Sequence, residues 1–211
     1  MLIETCRILG EIGALLMFIG VLPYINYFGA IELVGLILVM VALYNLSGNY
    51  MEKGIFNNAL YGFIIGIVGA VISSAVVIVT VLTSLTDFLY TIFPDWNGDW
   101  AALSGLTPDT SNITLDSIMP FVTGIIVALI ILWVSAILAV FFIRRSLTTL
   151  STKSGVGLFS TVGLLLLIGA LLIIIGVGLI IIWVSALLLA IAFMRIKPQQ
   201  TQSTTATTAQ T

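Results

Sequence analysis

The stretch LFSTVGLLLLIGALLIIIGVGLIIIWVSALLLAIAFM, Leu158 to Met194, runs for 37 residues without a charge and stops at Arg195 and Lys197. One helix of that length would measure about 55 Å, nearly twice the roughly 30 Å hydrocarbon core of a bilayer. Gly176-Val177-Gly178 at its centre supplies a turn, because glycine enters left-handed backbone without steric cost. The stretch therefore reads as two helices, 158–175 and 178–194, folded into a membrane hairpin. Inside it, IWVSALLLAIAFMR (Ile182–Arg195) echoes LWVSAILAVFFIRR (Leu132–Arg145). A third echo aligns VGLILVMVALYNLS (Val34–Ser47) with VSALLLAIAFMRIK (Val184–Lys197). One hairpin pattern, used three times, accounts for these matches.

The whole chain obeys the same solvent. Of its 211 residues, 60% are hydrophobic and 8% charged, against about a quarter charged in a soluble domain. Such a chain cannot cover itself with a polar surface. In lipid only helices or closed barrels satisfy the backbone, and unbroken Leu/Ile/Val runs favour helices over the alternating segments of a barrel. The reading is an all-α integral membrane protein with a polytopic domain over 1–198. Its helices are expected near 6–22, 31–46, 55–82, 120–143, 158–175 and 178–194. The first is read as a retained span and not as a cleaved leader, since Glu11 interrupts its apolar run and no small-x-small site follows.

Between the third and fourth helices, residues 83–119 change in composition. All five aspartates (Asp87, Asp95, Asp99, Asp109, Asp116) lie there with Phe88, Tyr90, Phe93, Trp96 and Trp100, rings suited to the headgroup level. Pro120 suits the first turn of the helix that follows. The terminal 199–211, polar and low in complexity, reads as a disordered tail.

Charge sets the orientation. With six spans, Arg7, Lys53, Arg144, Arg145, Lys153, Arg195 and Lys197, the seven basic residues of the chain, all fall on one side. That side is cytoplasmic by the positive-inside bias, so both termini are expected in the cytoplasm of a cell membrane and 83–119 outside. Asn112-Ile113-Thr114 then presents a glycosylation acceptor pattern at Asn112 on the accessible side. Asn45-Leu46-Ser47 would face the cytoplasm unused.

RILGEIGALL, FIGVLPYI, VGLILVMVALYNLS and KGIFNNALYGFIIGIVG, within Arg7 to Gly69, together with KSGVGLFSTVGLLLLIGALL and WVSALLLAIAFMRIK near the end, carry a resemblance. Their glycine spacing and apolar pattern resemble an archaeal multi-pass membrane family, domain of unknown function number nine hundred and ninety-six. The resemblance implies a membrane location and an archaeal source. It transfers no activity, cofactor or site residue.

Chemistry has few carriers. There is no histidine and one cysteine, Cys6, which excludes Ser–His–acid and Cys–His catalysis, an intrachain disulfide and a Cys/His metal cluster. Cys6 reads as a small apolar residue. No P-loop or dinucleotide fingerprint is present, so no enzyme activity, cofactor, metal or nucleic-acid partner is expected. Ionisable residues within a span are functional candidates, and Glu11 is the foremost. It lies four residues after Arg7 on the same helix face, as an interfacial ion pair or as a carboxylate in a proton or cation path. The first is the expectation. Glu32 opens the second helix, where the dipole favours an anion. Gly62, Gly66, Ala70 and Ser74 recur every four residues and are expected to form a face buried against another helix of the chain. These features favour a non-catalytic accessory, scaffold or envelope component acting through helix packing and its acidic outer loop. Its partners would be the lipid bilayer and other membrane proteins or further copies of itself. The alternative is a small oligomeric transporter or channel using Glu11.

Overall fold

The structure is a computed structural model that describes residues 3–22, 29–109, 111 and 114–197, with backbone alone at 117 and 118. The tail 199–211 and Asn112 lie outside the described residues. Among the described residues the chain is helical and holds no strand. Six α-helices follow in order: α1 (Ile3–Gly20), α2 (Ala30–Asn49), α3 (Lys53–Ile92), α4 (Leu115–Ser154), α5 (Leu158–Leu171) and α6 (Val177–Met194). Short 3-10 segments lie at Trp100–Gly105 and Leu172–Ile175. Among the described residues five helical segments are long and apolar enough to cross a membrane: α2, α3, α4 from Met119, α5 with its 3-10 extension, and α6. α1 falls short of that measure because its 18 residues include Glu4, Arg7 and Glu11.

Two helices outrun their apolar runs. α3 and α4 each hold 40 residues, about 60 Å at 1.5 Å per residue. The third helix continues past Leu82 to Ile92, and the fourth begins at Leu115, so the segment expected as a loop over 83–119 shrinks to 93–114. Hydrophobicity ends where lipid would end, not where the backbone ladder must. In these extensions Thr83, Thr86 and Thr91 donate to the carbonyls of Val79, Leu82 and Asp87, and Thr149 and Ser154 to those of Arg145 and Leu150. Pro120 consequently sits inside α4 and not in its first turn. Its missing N–H leaves the Asp116 carbonyl without an intrahelical partner. The turn between α5 and α6 is at Gly176, whose φ of 79° is the left-handed conformation that the sequence requires of a glycine there.

The chain divides into two compact units, Met1–Leu60 with Phe142–Thr211, and Tyr61–Phe141. In the first, α1 lies antiparallel to both α2 and α6. Cβ atoms at Gly13 and Gly35 would each strike backbone of the opposite helix (2.7 Å to the Gly35 carbonyl oxygen, 2.6 Å to that of Gly13). Gly10 meets the ring of Phe193. Phe18 stacks on Trp183 at 4.8 Å and 2°, and Trp183 Nε1 donates to the Phe18 carbonyl at 2.9 Å. α5 and α6 touch at Gly169 and Gly178, where a side chain on either would strike the other's carbonyl.

The large buried residues of this unit gather at one pole. Leu46, Ile55, Leu147, Leu150, Phe159 and Phe193 are fully buried there, drawn from the ends of α2, α4 and α6 and the starts of α3 and α5. Ser146 donates to the Ile55 carbonyl, tying the two long helices at that pole. The second unit pairs α3 with α4 through small residues. Ser73 donates to the Ala128 carbonyl at 2.8 Å, while Gly69 faces Ser135 and Gly124 faces Thr80.

Candidate functional site

Glu11 sits half-buried on α1, one residue after the glycine that admits Phe193. The ion pair expected between Glu11 and Arg7 does not form. Among the described residues the ion pair is Lys153–Glu52 at 3.2 Å, linking the end of α4 to the turn before α3. Arg7 instead lines a cavity at the basic pole, and among the described residues its Nε is buried without a hydrogen-bond partner. Helical spacing of four residues permits a pair but does not compel one. Glu32 is exposed in the first turn of α2, where its backbone lies 3.0 Å from a Cβ built on Gly20. The second acceptor pattern is locked in helix, with Leu46 and Ser47 buried and the Asn45 amide donating to Val41.

The face expected at Gly62, Gly66, Ala70 and Ser74 is only partly the seam. Gly62 is buried and Gly66 half-buried, but Ala70 and Ser74 are exposed. From Tyr61 onward the buried positions of α3 are Gly62, Gly69, Ser73, Thr80 and Ser84. At 100° per residue, each step of four drifts about 40° around the helix. Three such steps carry Ser74 off the face that Gly62 opens, whereas alternating steps of seven and four stay on it.

The acidic segment is organised by its own polar groups. Trp96 is buried between Tyr90 and Trp100 at ring distances of 5.0 and 5.3 Å, and its Nε1 donates to the Asp99 carbonyl at 2.7 Å. The Asp99 carboxylate caps the 3-10 segment by accepting from the Ala101 amide. The Asp109 amide donates to the Ile92 carbonyl, returning the segment to the end of α3. The Ser111 hydroxyl and amide donate to the Asp109 carboxylate (2.6 and 3.0 Å), and together they hold that carboxyl below its usual range. Among the described residues no three His, Cys, Asp or Glu side chains gather to hold a metal.

Two cavities open at the basic pole. One of about 700 Å³ is lined by Asn45, Asn49, Lys53 and Asn57 among others. The other, about 530 Å³, is lined by Arg7, Arg195 and Lys197 with the chain that enters α5. Sequence reading used these three bases to orient the protein and missed that they converge. Their separation along the chain hides it, and the glycines of KSGVGLF were its only local signal.

A family model described as "Protein of unknown function (DUF996)" matches residues 31–187. An uncharacterised protein of Methanocaldococcus jannaschii is 26% identical over 196 residues, covering 92% of this chain and 93% of that protein. No solved structure matches.

Proposed function

Because the chain belongs to the DUF996 family of proteins of unknown function, and five of its described helical segments are long and apolar enough to cross a membrane, we propose a non-catalytic role. It is an accessory, scaffold or envelope component of the cell membrane, with six spans in three hairpins and both termini cytoplasmic.

The observation that carries the role is how the buried hydroxyls are used. Ser73, Ser146 and Ser151 donate to backbone carbonyls of other segments, and Ser185 to its own helix. The bonds of Ser73 and Ser146 run between α3 and α4 and act as interhelical glue, whereas those of Ser151 and Ser185 are local. A transport path needs polar groups directed at a solvated route. The sixth span is α1, which packs along α2 and α6 and whose Glu4 and Arg7 belong to the basic pole. Three seams of small residues, at Gly13–Gly35, Gly69–Ser135 and Gly169–Gly178, support the three hairpins. So do the echoing serines Ser135 and Ser185, which make the same bond to the carbonyl four residues back, at 2.6 and 2.7 Å.

Two experiments test this reading. Cysteine labelling in intact cells is expected to find the C-terminal tail protected; labelling from outside overturns the topology. Liposomes carrying the purified protein should show no proton or cation flux above empty vesicles. Flux that is lost in Glu11→Gln would replace the accessory role with the transporter.

A further inference from the structure

Arg7 stands near the start of α1, and Arg195 and Lys197 follow the end of α6, yet all three line the same cavity of about 530 Å³. That volume lies within the usual range of about 300–1,000 Å³ for small-molecule sites. No acidic residue lines it. Among the described residues the Arg7 Nε is buried without a hydrogen-bond partner, a costly state for a charged donor.

The opposite wall is the N-terminus of α5, a helix of 14 residues. Its entry is arranged for exposure of amides. The Val156 amide is taken by Ser154 Oγ, and those of Phe159 and Ser160 bond back to Val156 and Gly157. The Gly157 and Leu158 amides have no acceptor among the described residues. A Cβ at Gly157 would meet open space, so this side of the entry to α5 is uncrowded. Free amides at a helix start, backed by the helix dipole, bind phosphate and similar anions.

We propose that this cavity binds a phosphate-bearing anion, the headgroup of an acidic membrane lipid or a free phosphate compound. Arg7, Arg195, Lys197 and the α5 amides supply the donors. Basic pockets between membrane helices on the cytoplasmic side are where acidic headgroups dock. The lipid source rests on the topology proposed above, whereas the phosphate chemistry rests on the cavity alone.

The test uses the purified full chain in mild detergent, with native mass spectrometry and thermal unfolding as readouts. Phosphatidylglycerol, phosphatidylcholine and inorganic phosphate are titrated separately. Phosphatidylglycerol is expected to bind in preference to phosphatidylcholine. The double variant Arg195→Gln/Lys197→Gln, both exposed and so compatible with folding, should weaken that binding roughly thirtyfold. Arg145→Gln removes a basic residue of the same pole that does not line the cavity, and should change binding less than about twofold, a surface-charge effect. Stabilisation by inorganic phosphate, lost in the same double variant, would assign the site to a soluble phosphate. The proposal fails if neither probe binds preferentially, or if Arg145→Gln weakens binding as much as the double variant does. A tail labelled from outside would remove the lipid arm and leave the phosphate arm standing, so the two failures are separable.

Discussion

In the unit formed by 1–60 and 142–211, Phe159, Phe193, Leu46, Ile55 and Leu150 are sealed from solvent. In the unit 61–141, the seam of α3 and α4 is made of Gly69, Ser73, Thr80, Gly124, Ala128 and Ser135, while Ile72, Val79, Leu129 and Leu138 face outward. Both are built from the same apolar alphabet. The difference lies in what surrounds them. Lipid is as apolar as leucine, so a large side chain gains little by leaving lipid for a helix interface, and close packing of small residues governs. The large buried cluster instead forms at the pole that carries the charged residues, where the surroundings would be headgroups and water and burial is driven by the hydrophobic effect. Away from that pole the first unit also closes on glycines, at Gly13–Gly35 and Gly169–Gly178.

The sharpest way to break this comparison is a methyl group where backbone meets backbone. Gly178→Ala places a carbon against the Gly169 carbonyl and the backbone of Leu172 and Ile173, none of which can rotate away. An overpacking cost at or above the upper end of about 1–3 kcal/mol is expected, read as loss of the folded peak on size exclusion in mild detergent. A normal peak would mean that the two helices separate easily, and that this seam is no tighter than the one in the second unit.

Next comes the α3–α4 seam. Gly69→Ala meets the Ser135 side chain and should cost about 1–3 kcal/mol. Gly66→Ala reaches only the Ala139 Cβ at 3.7 Å, an ordinary contact, and Ala70→Leu points away from the seam. Both are expected within about 0.5 kcal/mol of wild type. Thermal unfolding in detergent ranks the three. If Ala70→Leu destabilises more than Gly69→Ala, the four-residue face is the real interface.

A smaller effect separates the interhelical hydrogen bonds. Ser73→Ala removes the bond to Ala128 and should cost about 0.6 kcal/mol, the usual value between membrane helices. Ser146→Ala, at the buried pole, should cost more, towards about 1.7 kcal/mol. Equal values would imply that the two surroundings are alike.

The smallest effect belongs to Asp109 at the solvent-facing end of the second unit. Ser111 lowers its folded pKa, so its contribution is full above the ordinary aspartate value of about 3.9 and fades as pH falls through the lower folded value. Limited proteolysis of 93–114 should therefore quicken only in strong acid. In Asp109→Asn it should be quick at neutral pH and nearly flat with pH. A pH response surviving that substitution would assign it to another aspartate.

Much of the helix pattern was legible because its signals are local. The uncharged run at 158–194 with its central glycines, and the apolar stretches behind α2, α3 and α4, can be read without knowing what they touch. The ends of α3 and α4 were not legible, since TSLTDFLYTI (Thr83–Ile92) looks polar enough to leave a membrane and says nothing against remaining helical. For the same reason the small-residue motif on α3 misled. Gly62 and Gly66 suggest a repeat of four, whereas the seam follows the 3.6-residue turn to Gly69 and Ser73.

Composition, apolar run length and charge placement determined by themselves that the chain is helical and suited to lipid, because those properties depend on solvent and on backbone hydrogen bonding. Family membership was legible in the same local patterns. Only the tertiary structure decided which glycines touch, that Arg7 and Glu11 form no ion pair with each other, and that Arg7, Arg195 and Lys197 line one cavity with the chain that enters α5. Those outcomes depend on which helices become neighbours. That is set by the fit of surfaces far apart in the chain, which no local spacing records.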